Sequence, residues 1–343
     1  MANYHLTRRQ TWRVQKIQDG RRARVDRKTA QAEGMLDGQR LGPEQEGLVI
    51  TNHGGNLEVE DRAGKAHHCY PRRHMDLPVS GDRVVWQEAP DASGVVVALL
   101  PRQSLLGRPD THGKIRPLAA NVDRMLVVTA PRPYLSEHLI DRYLVAAETL
   151  GIPALIVLNK ADLLGSDTQV RERLAFYETI GYSVCPTSTY FPNGLSAVED
   201  QLCGHVSVLL GQSGVGKSSI INYLLPDHDD VAVGELSSTT GHGRHTTTDT
   251  TLYHLPRGGD LIDSPGVRKF DLWYLPPQEV AWGFSELRPF LGNCRYRDCA
   301  HQKEPGCALH AAIASGTIQS RRLESYHRIV ESLAGERTTI SEA

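Results

Sequence analysis

Between residues 35 and 104, short β-like runs of hydrophobic positions recur. They are Gly47–Thr51, Asn56–Glu60, Ala66–Tyr70, Arg83–Trp86 and Gly94–Leu100. Turn-forming stretches such as Asn52-His-Gly-Gly55 and Ser80-Gly-Asp82 separate them. Short runs of this kind between Gly, Asn and Asp breaks predict strands. Five short strands in one segment predict a small closed barrel, with an OB-fold as the leading candidate. The pattern changes at Asn121. Arg124–Ala130, Pro153–Leu158, Tyr182–Cys185, His205–Leu210 and Gly259–Ile262 are apolar runs without alternation, as expected of strands buried on both faces. Helical spacing fills the gaps over Leu135–Leu150, with Ser136 placed to cap it, and over Gln169–Ile180, closed by Gly181. Alternating β and α units predict a parallel sheet with helices on both faces. The end of the chain, about Ala308 to Leu333, reads as helical.

The whole is therefore multidomain. The expected parts are a basic arm over 1–34, an OB-fold over 35–104, an α/β domain over 115–285 and a further domain over 286–343. Arg102, Arg108, Lys114 and Arg116, with Gly107 and Pro109, fall in an expected linker. The net charge of −2 over 343 residues says little about partners, but its distribution does. Nine Lys and Arg against two Asp lie in residues 1–28, an arm suited to phosphate-rich partners, chiefly nucleic acid. The N-terminus carries no apolar secretory segment, and no run approaches the ~18 apolar residues of a membrane helix. A cytoplasmic, membrane-free protein is expected, and it is taken as a monomer.

One stretch carries phosphate chemistry. Gly211, Gln212, Ser213, Gly214, Val215, Gly216, Lys217, Ser218 and Ser219 fit the P-loop pattern between an apolar strand and a helix. Glycines let successive N–H groups turn inward on phosphate oxygens, Lys217 reaches the β- and γ-phosphates, and the Ser218 hydroxyl ligates Mg²⁺. Earlier in the chain, Asn159, Lys160 and Asp162 form Asn-Lys-x-Asp at a strand end, where open α/β sheets bind ligands. A carboxylate there accepts from guanine N1–H and its exocyclic amine, a donor pair that adenine lacks. Thr187-Ser188-Thr189 follows the next strand, and Ser188 is the expected base contact. Downstream, residues 234–251 form a polar, Thr- and Gly-rich loop. Asp263 and Gly266 then give Asp-x-x-Gly, with Asp263 on the Mg²⁺ shell and the Gly266 N–H on the γ-phosphate.

A second cluster is Cys294-x₄-Cys299-x-His301-x₅-Cys307. Three thiolates and one imidazole at this spacing predict a closed, structural Zn²⁺ site. His310 is a competing imidazole, and His301 is preferred by spacing. The clustering also argues for a reducing compartment rather than a disulfide framework.

The four nucleotide motifs together resemble the TRAFAC-type GTPases, but rotated. Asn159–Asp162 and Thr187–Thr189 precede the P-loop, the threonines Thr246–Thr248 and Asp263–Gly266, so the domain is a circularly permuted P-loop GTPase. Arm, OB-like barrel, permuted GTPase and Cys₃His domain together resemble the RsgA (YjeQ) family of bacterial GTPases over nearly the whole chain. That resemblance implies a GTPase of small ribosomal subunit maturation, hydrolysis of GTP to GDP stimulated by the subunit, and 16S rRNA contacts from the OB and zinc domains. A glutamine that orients water in Ras-like enzymes is replaced by Val267, so the group must come from elsewhere. His245, beside the switch threonines, is the candidate, with His242 and Arg244 as rivals. Spacing does not decide among Thr246, Thr247 and Thr248 as the Mg²⁺ ligand, and Thr247 is slightly favoured. The catalytic set is thus His245, Lys217 and Thr247. The alternative is an rRNA-binding scaffold that holds GTP without turning it over.

Overall fold

The computed structural model describes residues 41–73, 75–109, 115–165, 168–226, 250–263 and 275–341. The basic arm of residues 1–34 lies outside them. The chain divides into two compact units, with the break between Arg102 and Gln103.

The first unit is a five-stranded barrel. Its strands are β1 (Gln45–His53), β2 (Asn56–Asp61), β3 (Ala66–Pro71), β4 (Arg83–Glu88) and β5 (Gly94–Leu99). β1 pairs antiparallel with β2, and β2 with β3. β3 runs parallel to β5, β5 antiparallel to β4, and β4 closes the ring on β1. Alternate residues point inward, so Val49, Leu57, Val59, Cys69, Val84, Trp86 and Val96 form the core. The Trp86 indole fits because two glycines face it. A Cβ on Gly94 would lie 2.9 Å from the ring and 2.2 Å from Cys69 Sγ, and one on Gly47 would lie 3.0 Å from the ring. Burial pushes the Cys69 thiol up to about 12, which leaves it inert at neutral pH. Arg102 closes the unit with two bonds to the buried Asp82, at 2.8 and 2.7 Å.

The second unit opens with a difference from expectation. The stretch expected as a linker forms an antiparallel ribbon of β6 (Leu105–Pro109) and β7 (Ile115–Ala120). Leu106, Ala119 and Ala120 are fully buried and anchor it. The main sheet follows, with β8 (Arg124–Thr129), β9 (Ala154–Leu158), β10 (Ser183–Pro186), β11 (Val206–Leu210), β12 (Thr251–His254) and β13 (Asp260–Asp263). Its order is β10-β9-β8-β11-β13-β12, parallel except for β12 at the edge. Helix α1 (Glu137–Leu150) packs on one face. It is capped by Ser136, whose Oγ accepts the Leu139 N–H, and stopped by Gly151 at φ 66°. Helix α2 (Thr168–Thr179) lies by β10. Helices α3 (Ser196–Leu202) and α4 (Lys217–Leu224) cover the other face, where Val198, Leu202, Ile220 and Ile221 meet Leu126, Val128, Leu155, Leu209 and Leu261.

The chain then forms α5 (Pro277–Trp282), a 3₁₀ turn over Ser285–Phe290, α6 (Ala308–Ala314) and α7 (Ser320–Ser341). The helical tail expected from the sequence is thus two helices, broken where Gly316 takes φ 75°. This segment is fastened to α1 by a buried charge cluster. Arg322 and Asp141 are each 1% exposed and paired, and Arg322 also bonds to Glu286. Tyr177 donates to Asp141 at 2.7 Å, and the Phe284 ring lies 4.5 Å from the Arg322 guanidinium. The two carboxylates hold Arg322 protonated in spite of its burial. Glu148 extends the seam by accepting from Tyr182 at 3.0 Å and Arg288 at 2.5 Å.

Candidate functional site

β11 delivers the chain to the P-loop at Leu210. Gly211, Gly214 and Gly216 sit at φ 144°, 82° and 95°. Two of them are also needed for closeness. A Cβ on Gly211 would lie 2.2 Å from the Val128 carbonyl, and one on Gly216 would lie 2.3 Å from Asn159 Nδ2. Val215 is buried in the core beneath and pins the loop. Lys217 is 8% exposed, and its Nζ donates to the Gly211 and Gln212 carbonyls, both at 2.7 Å. The ammonium is thereby folded over Gln212–Gly216. Among the described residues no side chain caps the start of α4 at Gly216, and Ser218 and Ser219 lie on that first turn, the end of a helix that favours an anion.

The base-reading residues reach the same place from β9. Asn159 is 2% exposed, its N–H donates to the Thr129 carbonyl at 2.8 Å, and its Nδ2 donates to the Val215 carbonyl at 2.9 Å. Its Oδ1 has no partner among the described residues. Lys160, at φ 56°, stretches to donate its Nζ to the Gly214 carbonyl at 2.6 Å. Asp162 lies on a 3₁₀ turn (Ala161–Leu163), where Ser188 Oγ donates to its Oδ1 at 2.5 Å. Ser188 Oγ in turn accepts the Tyr190 N–H at 3.1 Å. The Thr187–Gly194 loop is held by Thr187 Oγ1 on the Gly194 carbonyl at 2.5 Å, and a Cβ on Gly194 would lie 2.0 Å from the Ser188 carbonyl. Sequence reasoning missed Gly194, although the Asn193-Gly194 pair is a turn signal.

Asp263 ends β13, the neighbour of β11, which sets it at the same sheet edge as Gly211. Motifs far apart and reversed in sequence therefore converge on the carboxyl ends of β8, β9, β11 and β13. His245, Thr247 and Gly266 lie outside the described residues. The donor set fits a guanine nucleotide with its ion: inward amides and an ammonium for phosphates, a hydroxyl for Mg²⁺, and an amide oxygen and carboxylate for the base.

Farther along the chain, Cys294, Cys299, His301 and Cys307 bring their ligand atoms within 4.8 Å of one another. Cys294 Sγ lies 4.0 Å from Cys307 Sγ, and His301 Nδ1 lies 3.5 and 3.4 Å from those two sulfurs. Tetrahedral zinc with ordinary Zn–S and Zn–N bonds requires edges of about 3.8 and 3.6 Å. The Ala308 N–H donates to Cys294 Sγ at 3.3 Å, a contact that stabilises a thiolate. His310 turns away, with Nε2 2.5 Å from the Gln302 carbonyl. A Cys₃His set able to hold one metal ion is present, and all six cysteines of the chain are free thiols.

A closed OB-like barrel followed by a P-loop sheet with its base-reading motif moved to the front defines a circularly permuted GTPase. The RsgA GTPase family model matches residues 99–273. "Small ribosomal subunit biogenesis GTPase RsgA" from Marinobacter nauticus is 47% identical over 344 residues, covering 98% of both chains. The protein of that name from Pseudomonas aeruginosa is 49% identical over 335 residues, 97% of this chain and 98% of its own. Among solved structures, YjeQ from Thermotoga maritima is 29% identical with a TM-score of 0.68, over 85% of this chain and 99% of that one. YloQ, described as a circularly permuted GTPase, is 28% identical with a TM-score of 0.67, over 85% of this chain and 96% of its own. The chain belongs to the RsgA family of GTPases.

Proposed function

We propose that this chain binds GTP and hydrolyses it to GDP and phosphate during late maturation of the small ribosomal subunit, at a rate the subunit raises. The carrying observation is the Asn159–Val215 bond of 2.9 Å, which ties the guanine-reading strand end to the phosphate loop. Guanine recognition and phosphate positioning are thereby set by one rigid contact.

In this reading Asp162, held by Ser188, accepts the guanine N1–H and amine, and Lys160 lays its alkyl stem across the base. The amides of Gly211–Lys217 and the Lys217 ammonium hold the β- and γ-phosphates. Ser218 and Thr247 ligate Mg²⁺, with Asp263 on its shell and the Gly266 N–H on the γ-phosphate. Mg²⁺ held there would supply positive charge to offset the charge on the phosphate oxygens. His245 orients the attacking water. Val267 cannot do so, and docking on the subunit is what sets the water-orienting group in place and raises the rate.

Cys294, Cys299, His301 and Cys307 hold one Zn²⁺, closed by four protein ligands and therefore structural. The loop they brace carries Arg295 5.5 Å from the ring of Tyr296, which is 41% exposed, beside Arg297. A guanidinium stacked on an exposed aromatic suits 16S rRNA phosphates and bases. The protein works as a monomer in the cytoplasm. Among the described residues, no helix is long and apolar enough to cross a membrane.

The direct test is nucleotide binding with ATP as competitor, followed by single-turnover hydrolysis. GTP should bind, resist ATP and be cleaved, and His245→Ala should bind equally but cleave more slowly. Displacement by ATP would refute the guanine assignment. Binding without cleavage, with or without subunits, would leave a scaffold.

A further inference from the structure

The first turn of α1 and one face of α7, with Arg173 of α2, line an open pocket of about 340 Å³ that no P-loop residue lines. Glu137, Arg173, Arg321, Ser325 and Arg328 line it. Glu137 sits between two guanidiniums, 3.0 Å from Arg173 Nη2 and 3.0 Å from Arg321 Nη1. Arg321 is held from behind, its Cζ 4.1 Å from the Phe176 ring centroid and its Nε donating to Gln319 at 2.9 Å. Yet Arg321 Nη2 and Ser325 Oγ, one helical turn apart, are buried and have no hydrogen-bond partner among the described residues. Ser325 is 6% exposed. Buried donors of this kind are almost always paired with protein, water or an ion.

The charges around these donors decide what fits. Asp141 on the wall is already matched by Arg322. That leaves three guanidiniums (Arg173, Arg321 and Arg328) against Glu137 and Glu324. Arg328 is exposed and makes no ion pair among the described residues. The positive end of the 14-residue α1 adds to the same side. The lining is rich in donors and net positive, and a guanidinium fork matches the paired oxygens of a phosphate.

We propose that this cavity is an oxyanion site for a phosphate group, distinct from the P-loop, with Arg321, Ser325 and Arg328 as its donors. The phosphate is either free or part of an RNA backbone. Its occupant joins α7 to the start of α1. Arg132, four residues before Ser136, has its carbonyl 3.5 Å from Lys160 Nζ, so the site adjoins the guanine-reading residues through the chain.

The test uses the full, zinc-loaded chain saturated with a non-hydrolysable GTP analogue, so that the β- and γ-phosphate positions of the P-loop are both filled. Inorganic phosphate is titrated by calorimetry into the wild type, Ser325→Ala and Arg328→Ala. One phosphate per chain should bind to the wild type. Each variant should weaken it by about tenfold or more, as expected for loss of a hydrogen bond to a charged group. Arg328 is exposed, so its variant folds even if Ser325→Ala does not. A single-stranded RNA oligomer is then titrated. If the variants weaken RNA binding and phosphate competes with it, the phosphate is the RNA's. If RNA binding is unchanged while phosphate binding falls, the ligand is the free anion. No phosphate binding to the wild type, or equal binding in both variants, overturns the proposal.

Discussion

Replacing Arg322 by methionine tests what holds the C-terminal segment to the GTPase sheet. Methionine keeps the alkyl stem against Phe284 and deletes the charge. Asp141, 1% exposed, would then retain only the Tyr177 hydroxyl at 2.7 Å, and Glu286, 12% exposed, would lose its guanidinium. Breaking a buried ion pair on one side costs about 3–5 kcal/mol, because an uncompensated charge stays buried. With a urea m-value of about 2–3 kcal/mol/M, the midpoint should fall by about 1–2 M. Adding Asp141→Asn to Arg322→Met should recover part of the loss, since the orphaned charge is gone. The assay is urea unfolding followed by circular dichroism with zinc present. A cost under about 1 kcal/mol, or no recovery in the double variant, would show that apolar packing rather than the ion cluster fastens the segment.

Three further substitutions probe the sites. Asp162→Asn should keep a contact with Ser188 yet weaken GDP binding about 100-fold or more, without gaining ATP, in a fluorescent-nucleotide titration. Gly216→Ala puts a Cβ 2.3 Å from Asn159 Nδ2 at φ 95°. The strain and displaced Asn159 should cost at least about 2 kcal/mol, or some 30-fold in nucleotide affinity, with an unchanged dichroism spectrum. Elemental analysis should find one zinc per chain, and Cys307→Ser should lose it and lower the melting temperature while GDP binding survives. A full complement of zinc in that variant would remove Cys307 from the ligand set.

The parts of this protein whose local geometry needs particular residue types could be read in the sequence. Gly211, Gly214 and Gly216 are glycines since their backbones require it, and Asn159 to Asp162 follow directly from a strand end. The Cys₃His spacing works the same way. The β6–β7 ribbon was hidden because Gly107, Pro109 and Pro117 resemble loop punctuation and the charges of Arg108 and Arg116 mask the alternation. β12 was hidden in a threonine-rich polar run that carries no apolar period. The Arg322–Asp141–Glu286 cluster leaves no local trace, since its two ends are 181 residues apart and only the fold brings them together. For the same reason the α1–α7 cavity was invisible from pattern alone.

The central claim is that a slow GTPase is switched by the small ribosomal subunit. It is tested most directly by GTP turnover with and without purified subunits at several salt concentrations. The account predicts slow turnover alone, strong stimulation by subunits, and stimulation that declines as salt weakens phosphate contacts. Rapid turnover by the isolated protein, or bound GTP that subunits leave unhydrolysed, would contradict it.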